Sequence, residues 1–182
     1  MTCIVGMIKG NKVYMGADAA GVAGLDITVR ADEKVFIRNK MIFGFTSSFR
    51  MGQLIRYKLR IPKHPANMAT HEYMVKLFIE SLRKCFRDGG FARNKDGEDV
   101  AGSFLVGYQG TIFEIDSDYQ VGIPVIGVNS VGCGSSYAMG AMNAMVRCTP
   151  NKSPKEMILT ALKIAEEHSA GVRGPFTVLE LP

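Results

Sequence analysis

The chain has 182 residues, of which 47% are hydrophobic and 21% are charged, and its formal net charge is +5 at pH 7. This balance is typical of a globular protein and excludes an intrinsically disordered chain. No apolar run approaches the roughly 20 residues that a membrane-spanning helix needs, so no membrane partner is predicted. The length suits one compact domain, which we place at residues 1–182.

Four cysteines are scattered along the sequence without a Cys-x-x-Cys pair: Cys3, Cys85, Cys133 and Cys148. Since no histidine is spaced to complete a zinc site, neither a metal nor another cofactor is predicted. We expect buried free thiols in a reducing compartment. The first residues lack the basic and apolar regions of a secretion signal, so a cytoplasmic location is predicted.

Positive charge is locally concentrated at residues 56–60 and 83–95. Such runs can mark a nucleic-acid-binding surface. Here they fall at predicted helix ends and in a predicted loop, which favours a solvated face. No nucleic-acid partner is therefore predicted, and a nucleic-acid-binding module is kept only as a remote alternative.

The first 46 residues predict mainly β structure. Two hairpins are expected there, formed by residues 2–9 with 12–17 and by residues 34–38 with 41–46. The glycine-containing stretch between the hairpins has weak periodicity. Two helices are expected next, at residues 49–59 and 71–87, the second with apolar side chains recurring every four positions.

Residues 91–100 are polar and predict an exposed loop. The remaining elements are predicted as strands at residues 103–108, 111–116, 125–131 and 176–181, with helices at residues 135–146 and 153–168. The last helix opens on a capping-box pattern, with Ser153 as N-cap, proline next and Glu156 three residues on.

The predicted order is therefore ββββ-αα-βββ-αα-β. Strands and helices come in blocks, which argues against βαβ alternation. The fold class predicted is α+β, as a four-layer αββα sandwich of two antiparallel sheets between helix pairs.

Three residues near the start of the chain have a characteristic spacing: Thr2, then Asp18 sixteen positions on and Lys34 thirty-two positions on. In this spacing the chain resembles the proteasome β-subunit and HslV family of N-terminal threonine hydrolases, the Ntn hydrolases. The similarity continues in residues 44–48 and 132–140 and in the closing helix, loop and strand. The resemblance implies the Ntn-hydrolase fold and a peptidase subunit that cleaves peptide bonds through an acyl-enzyme.

The resemblance also implies roles for these residues. Thr2 would be the nucleophile, with its own α-amine as base once Met1 is removed. The cation of Lys34 would lower the pKa of that amine, and Asp18 would hold Lys34 in place.

Two serines complete the set implied by the resemblance. Ser47 takes the place of the glycine at the oxyanion turn, or Ser48 does if the alignment has no gap. Ser135 matches the family serine that arranges protons around the terminal amine.

As partners, the resemblance implies a homo-oligomeric ring, an AAA+ ATPase unfoldase, and unfolded protein or peptide as substrate. Two alternatives stay open. The chain could be a catalytically silent, structural proteasome-like subunit that keeps Met1, or an Ntn hydrolase that acts on a small amide. The loop before Gly174 departs from the family pattern, since Ala170 and Arg173 stand where proteasome β-subunits often carry Asp and Ser.

Several residues have simpler structural interpretations. Asp18 and Lys34 could be an ordinary ion pair, and either serine before Phe49 could cap the helix that begins there. Phe36 and Phe45 could line an apolar specificity pocket or belong to the core. The glycines around Cys133 could be mistaken for a dinucleotide-binding turn, which is disfavoured because Tyr137 stands where a third glycine is needed.

Overall fold

The computed structural model describes residues 1–95, 98–149 and 151–182. The strands within these residues are, in chain order, β1 (Ile4–Lys9), β2 (Lys12–Ala17), β3 (Ala20–Ala23), β4 (Asp26–Val29), β5 (Val35–Arg38), β6 (Met41–Phe45), β7 (Arg93–Lys95), β8 (Glu98–Val100), β9 (Phe104–Tyr108), β10 (Thr111–Ile115), β11 (Val121–Gly122), β12 (Val128–Val131) and β13 (Thr177–Leu181).

Helices follow the strands in two pairs. Their bounds are α1 (Phe49–Gln53, continued by the π-helical turn Leu54–Lys58), α2 (Thr70–Tyr73, the π-helical turn Met74–Phe78, then Ile79–Asp88), α3 (Ser135–Cys148) and α4 (Pro154–His168). Ser48 caps α1 by accepting a hydrogen bond from Arg50 N. The predicted capping box of Ser153 and Glu156 begins α4. Among the described residues, no helix is both long and apolar enough to cross a membrane.

Two antiparallel sheets form the centre of the molecule. The first has the strand order β12-β1-β2-β13 and the second the order β11-β10-β9-β6-β5. In the first sheet, Ile4 pairs with Ala17 on one side and with Val131 on the other. The start of β1 therefore lies beside the end of β2 and the end of β12.

Side-chain alternation along the strands builds the layers. Ile4 packs between the two sheets, in a buried cluster made by residues of both: Ile4, Val13, Met15, Ala17, Val35, Ile42, Leu105, Ile112, Val131 and Leu181. Its neighbour Val5 faces the opposite way and packs with residues of α3 and α4. The far side of the second sheet packs under α1 and α2, in a cluster centred on Phe43 and Phe78. The predicted αββα sandwich is confirmed.

Three predictions for segments outside the two expected hairpins were incomplete. The stretch that showed weak periodicity contains β3 and β4, which in the described part of the chain pair only with each other. Every residue of β4 is exposed, although its sequence, Asp26 to Val29, alternates polar and apolar residues. That alternation was a strand signal that the sequence analysis missed. The expected loop at residues 91–100 contains the paired strands β7 and β8, and residues 96 and 97 lie outside the described part. The strand expected from residue 125 begins only at residue 128, because Pro124 to Gly127 form a turn in which Gly127 N donates to Pro124 O at 3.4 Å.

Candidate active site

Thr2, Asp18 and Lys34 each stand just outside a strand. Thr2 precedes β1 and Asp18 follows β2. Because β1 and β2 are antiparallel neighbours, those two ends lie side by side. Lys34 directly precedes β5 in the second sheet, and its carbonyl accepts a hydrogen bond from Phe45 N at 3.0 Å. The packing of one sheet on the other brings the lysine to the other two residues.

The three side chains form a chain of hydrogen bonds that solvent barely reaches. The ammonium Nζ of Lys34 donates to Thr2 Oγ1 at 2.9 Å and to Asp18 Oδ1 at 2.9 Å. Thr2 is 3% exposed, Asp18 2% and Lys34 1%. A lysine and an aspartate that are both buried are rare unless they are paired, as they are here.

The carboxylate of Asp18 is fixed by backbone donors. Its Oδ1 accepts from Cys3 N at 2.9 Å, and its Oδ2 accepts from Ala20 N at 2.9 Å and from Arg173 N at 3.3 Å. Burial lowers the pKa of Lys34 below its usual value, while attraction to the Asp18 carboxylate acts in the opposite direction. The backbone bonds therefore hold the carboxylate in place to anchor the lysine.

The backbone of Thr2 is contacted by the turn before α3. Thr2 N donates to Cys133 Sγ at 3.2 Å, and Gly134 N donates to Thr2 O at 3.3 Å. Ser169 Oγ lies 3.4 Å from the same sulfur, to which it donates. Cys133 thus links the Thr2 nitrogen to the loop after α4.

Ser135 is the first residue of α3, and its N–H donates to Gly132 O at 3.1 Å. In the described part of the chain, none of the hydrogen bonds at Thr2 comes from Ser135, so its role near the amine stays a prediction. Sequence reasoning did not single out Cys133 for this position. The available signal was its place between two glycines in a segment already recognised as similar to the family.

Glycine at residue 132 allows this close approach. Its φ is +104°, and a β-carbon there would lie 2.2 Å from the carbonyl oxygen of Thr2. Any other residue would push the turn away from Thr2.

Met1 occupies the space in front of the Thr2 nitrogen. Its carbonyl oxygen accepts a hydrogen bond from the Thr2 hydroxyl. A β-carbon on Gly171 would lie 2.4 Å from Met1 Cβ and 2.5 Å from Cys133 Sγ, so the methionine packs tightly at this point. With Met1 in place, the nitrogen of Thr2 is an amide and has no basic lone pair.

The turn at residues 46–48 contains both candidates for the oxyanion donor. Ser47 has a φ of +63°, in the left-handed region that favours glycine. The N–H of Ser48 donates to Thr46 O at 2.6 Å, whereas the N–H of Ser47 makes no hydrogen bond with another described residue. The side chain of Ser48 caps α1, as the simpler interpretation predicted.

A cavity of about 270 Å³ opens beside Thr2. It is bordered by the turn at residues 46–48, by the β3–β4 hairpin, and by Lys34 and Phe45. Phe36 is not part of this wall and stacks on Phe43 in the core, with the ring centroids 5.3 Å apart. Of the two phenylalanines considered for a specificity pocket, only Phe45 borders the cavity.

The cysteines are free, but only half of them are buried as expected. Cys3 and Cys85 are buried, whereas Cys133 and Cys148 are exposed. In the described residues, no three His, Cys, Asp or Glu side chains are grouped closely enough to hold a metal ion.

No protein-family model matches the chain. Solved structures do resemble it: BPH of Thiobacillus denitrificans, solved in complex with epoxomicin, gives a TM-score of 0.83 at 17% identity over 100% of both chains. Eukaryotic HslV from Trypanosoma brucei gives 0.68 at 18% identity over 98% of each chain. Anbu, an ancestral beta-subunit from Yersinia bercovieri, gives 0.67 at 15% identity over 100% of this chain and 82% of that one.

The chain has the HslV-type, proteasome-like fold. The superposition with BPH spans the chain from end to end, so the proteasome-like fold includes the strand ends that carry Thr2, Asp18 and Lys34. The helix pair α3 and α4 and the final strand β13 belong to it as well. At identities of 15–18%, the likeness describes the fold, and the chemistry rests on the residues of this chain.

Proposed function

We propose that this chain is a threonine-type endopeptidase subunit, in which Thr2 becomes the first residue and cleaves peptide bonds through an acyl-enzyme. The observation that carries the proposal is the buried hydrogen bond from Lys34 Nζ to Thr2 Oγ1, at 2.9 Å. A threonine hydroxyl is a weak nucleophile unless its surroundings activate it. A lysine held by an aspartate, donating to that hydroxyl, stabilises the negative charge that develops on the oxygen.

The proton of the hydroxyl needs an acceptor. Lys34 donates to the hydroxyl, so it is not that acceptor in this arrangement. Removal of Met1 would convert the Thr2 nitrogen into an α-amine, whose reference pKa of about 7.7–8.0 leaves a useful neutral fraction near pH 7. Cys133, which already accepts from this nitrogen, would orient the amine.

The developing oxyanion needs donors that are in position before the reaction. The N–H of Ser47 supports this role, because it has no partner in the described chain and its residue borders the cavity beside Thr2. The N–H of Ser48 is the second candidate, and it would first have to leave the Thr46 carbonyl.

For the whole protein we propose a homo-oligomeric ring in the cytoplasm that degrades unfolded protein or peptides, with an AAA+ ATPase unfoldase as partner. The support is the proteasome-like fold shared with HslV from Trypanosoma brucei together with the sequence resemblance to that family. Measurement of the particle mass in solution tests the ring directly.

A catalytically silent structural subunit is the second candidate. It is favoured by the contacts of Met1, whose carbonyl accepts from the Thr2 hydroxyl, and by the engaged N–H of Ser48. In that case Met1 would be retained and Thr2 would be unreactive.

A labelling experiment tests these alternatives. The protein, purified without an N-terminal tag, is incubated with a peptidyl electrophile, for which epoxomicin is the first choice because it was found in complex with BPH. Intact and peptide masses then report the adduct and the state of Met1. We expect loss of Met1 and one adduct on Thr2, absent in Thr2→Ala and retained in the control Thr160→Ala on α4.

Other outcomes are equally informative. Clean loss of Met1 without an adduct would contradict the nucleophile assignment. Retained Met1 with no adduct would favour the silent subunit. An adduct on Thr2 without cleavage of any peptide or unfolded protein would favour a hydrolase of small amides.

A further inference from the structure

The β3–β4 hairpin places a cation in the wall of the cavity beside Thr2. Arg30 directly follows β4, and its backbone N–H donates to Ala19 O at 2.9 Å. Its aliphatic stem lies over Gly21 of β3, where a β-carbon would be 2.8 Å from Arg30 Cδ. Glycine at residue 21 therefore leaves room for the arginine side chain to lie along the cavity.

The guanidinium of Arg30 is held from two directions. Its carbon Cζ lies 3.8 Å from the centroid of the Phe49 ring, so the cation is placed over that ring. Its Nε and Nη2 donate to the two carboxylate oxygens of Asp32, at 2.6 and 2.7 Å. A guanidinium that stacks by its face keeps its in-plane N–H groups available.

Only part of the donor capacity of Arg30 is used. Arginine has five N–H donors, and those on Nη1 make no hydrogen bond with another described residue. Arg30 borders the cavity, whereas Asp32 does not. A ligand in the cavity would therefore meet the guanidinium rather than the carboxylate that fixes it.

The ionisable side chains that border the cavity are all positively charged. They are Arg30 and Lys34, and no acidic side chain from the described residues borders it. Lys34 is buried and paired with Asp18 at 2.9 Å. Arg30 is also paired, with Asp32, but its side chain is 37% exposed and its Nη1 donors make no hydrogen bond with a described residue, so it is the cation that a ligand can reach. The volume of about 270 Å³ is sufficient for one side chain, given that a cavity of about 150 Å³ can hold benzene.

We propose that Arg30 is a specificity-determining residue and that it selects peptides with a glutamate or aspartate beside the bond that is cleaved. This rests on the proposed function, since only a peptidase would place that side chain in the cavity next to Thr2. A carboxylate gains charge-assisted hydrogen bonds from the free edge of the guanidinium. A lysine or arginine in the same place meets a like charge and is rejected.

Binding to the Thr2→Ala protein tests the proposal without requiring catalysis. Acetylated tripeptides that differ only in a C-terminal glutamate, glutamine or lysine are titrated by calorimetry. We expect the glutamate peptide to bind at least about tenfold more tightly than the glutamine peptide, and the lysine peptide most weakly. When Arg30→Gln is combined with Thr2→Ala, the difference in affinity between the glutamate and glutamine peptides should disappear. When Arg30→Lys is combined with Thr2→Ala, part of that difference should remain.

Arg56 provides the matched control. Its guanidinium also stacks on a phenylalanine, at 4.5 Å from the Phe36 ring, but it does not border this cavity. Arg56→Gln should leave the ratio unchanged. Equal binding of the glutamate and glutamine peptides, or no binding of either, would overturn the proposal.

Cleavage of internally quenched peptides with the same three residues then tests the processed wild-type protein. We expect kcat/KM to follow the same order. Cleavage without an acid preference would refute the role of Arg30 and leave the peptidase assignment intact. Absence of both cleavage and a Thr2 adduct would refute the peptidase assignment, and the binding ratio would then report only whether Arg30 selects an acidic side chain in the cavity.

Discussion

The ammonium of Lys34 reaches from one sheet to the other and donates a hydrogen bond to the hydroxyl of Thr2, over 2.9 Å. The two residues are thirty-two positions apart, and both are almost completely withdrawn from solvent. Charge interactions between buried groups are only weakly screened by water and salt. A single cation at this position can therefore influence the hydroxyl more strongly than a surface lysine could.

Removal of the Asp18 carboxylate should destabilise the fold. Asp18→Ala leaves the Lys34 ammonium buried without its partner and removes the acceptor of three backbone N–H groups, so we expect a loss of about 3–5 kcal/mol in the free energy of unfolding. Urea denaturation measures this. Glu72→Ala, which breaks the exposed pair with Lys76, is the matched control and should cost less than about 1 kcal/mol.

The double variant Asp18→Ala with Lys34→Met separates the two causes of this loss. It replaces the buried cation by an apolar side chain, so it should be more stable than Asp18→Ala alone. If the double variant is the less stable of the two, an unpaired charge is not what destabilises the single variant.

Alkylation of Cys133 should block adduct formation at Thr2. The sulfur of Cys133 is 3.2 Å from the Thr2 nitrogen, and a carbamidomethyl group would occupy the space where the terminal amine must be oriented. We expect iodoacetamide to abolish labelling of Thr2 in the wild-type protein. In Cys133→Ser, the same reagent should leave labelling of Thr2 unaffected. Cys148, the other exposed cysteine, provides the control, since Cys148→Ser should remain sensitive to the reagent.

The oxyanion turn should be sensitive to contact between Ser47 and Gly102. A β-carbon on residue 102 would lie 2.4 Å from Ser47 Cβ and 2.6 Å from Ser47 Oγ. We expect Gly102→Ala to cost about 1–3 kcal/mol by overpacking and to slow labelling of Thr2. Ser47→Gly removes both atoms, so the double variant should recover part of both losses in a double-mutant cycle. Additive effects would show that the two residues do not interact.

Cys3 should make the folded state lose stability at alkaline pH. Burial raises the pKa of its thiol from 9.0 to about 12. Between these values the unfolded chain has lost a proton that the folded chain keeps, so the free energy of unfolding falls as the pH rises above 9. One such group contributes a slope of up to about 1.4 kcal/mol per pH unit.

Chemical denaturation at several pH values from 8 to 10.5 tests this effect. Both Cys3→Ala and Cys3→Ser remove the titrating group, so both should reduce the slope by the same amount even if their absolute stabilities differ. Lys34, whose pKa is lowered, contributes with the opposite sign in all three proteins. An unchanged slope in both variants would contradict the assignment.

Much of the fold follows from local signals in the sequence. The hairpin of β1 and β2, the capping box at Ser153 and the block order of strands and helices were predicted, because each depends on residues close together in the chain. The β3–β4 hairpin was not predicted, because each strand has only four residues and only β4 alternates polar and apolar residues. Its importance is that it brings Arg30 to the cavity, which depends on where the hairpin lies in the folded molecule.

The candidate site was likewise predicted only in part from the sequence. The spacing of Thr2, Asp18 and Lys34 is a property of the sequence, and through the family resemblance it predicted one site. Their hydrogen bonds were beyond the sequence, because they form where the ends of β1, β2 and β5 meet through sheet pairing and sheet packing. The contact of Cys133 with Thr2 N also depends on a turn 131 residues away in the chain.

Periodicity and helix caps are local signals, and they predicted the α+β class and the blocks of strands and helices. The resemblance to a known family, through the spacing of Thr2, Asp18 and Lys34, supplied the candidate nucleophile. Which groups come into contact depends on the tertiary structure: Cys133 lies at the Thr2 nitrogen, the N–H of Ser48 donates within its own turn, and Arg30 borders the cavity. The physical reason is that hydrogen bonds and charge contacts are effective over a few ångströms. Such distances are set by the packing of the two sheets and their loops.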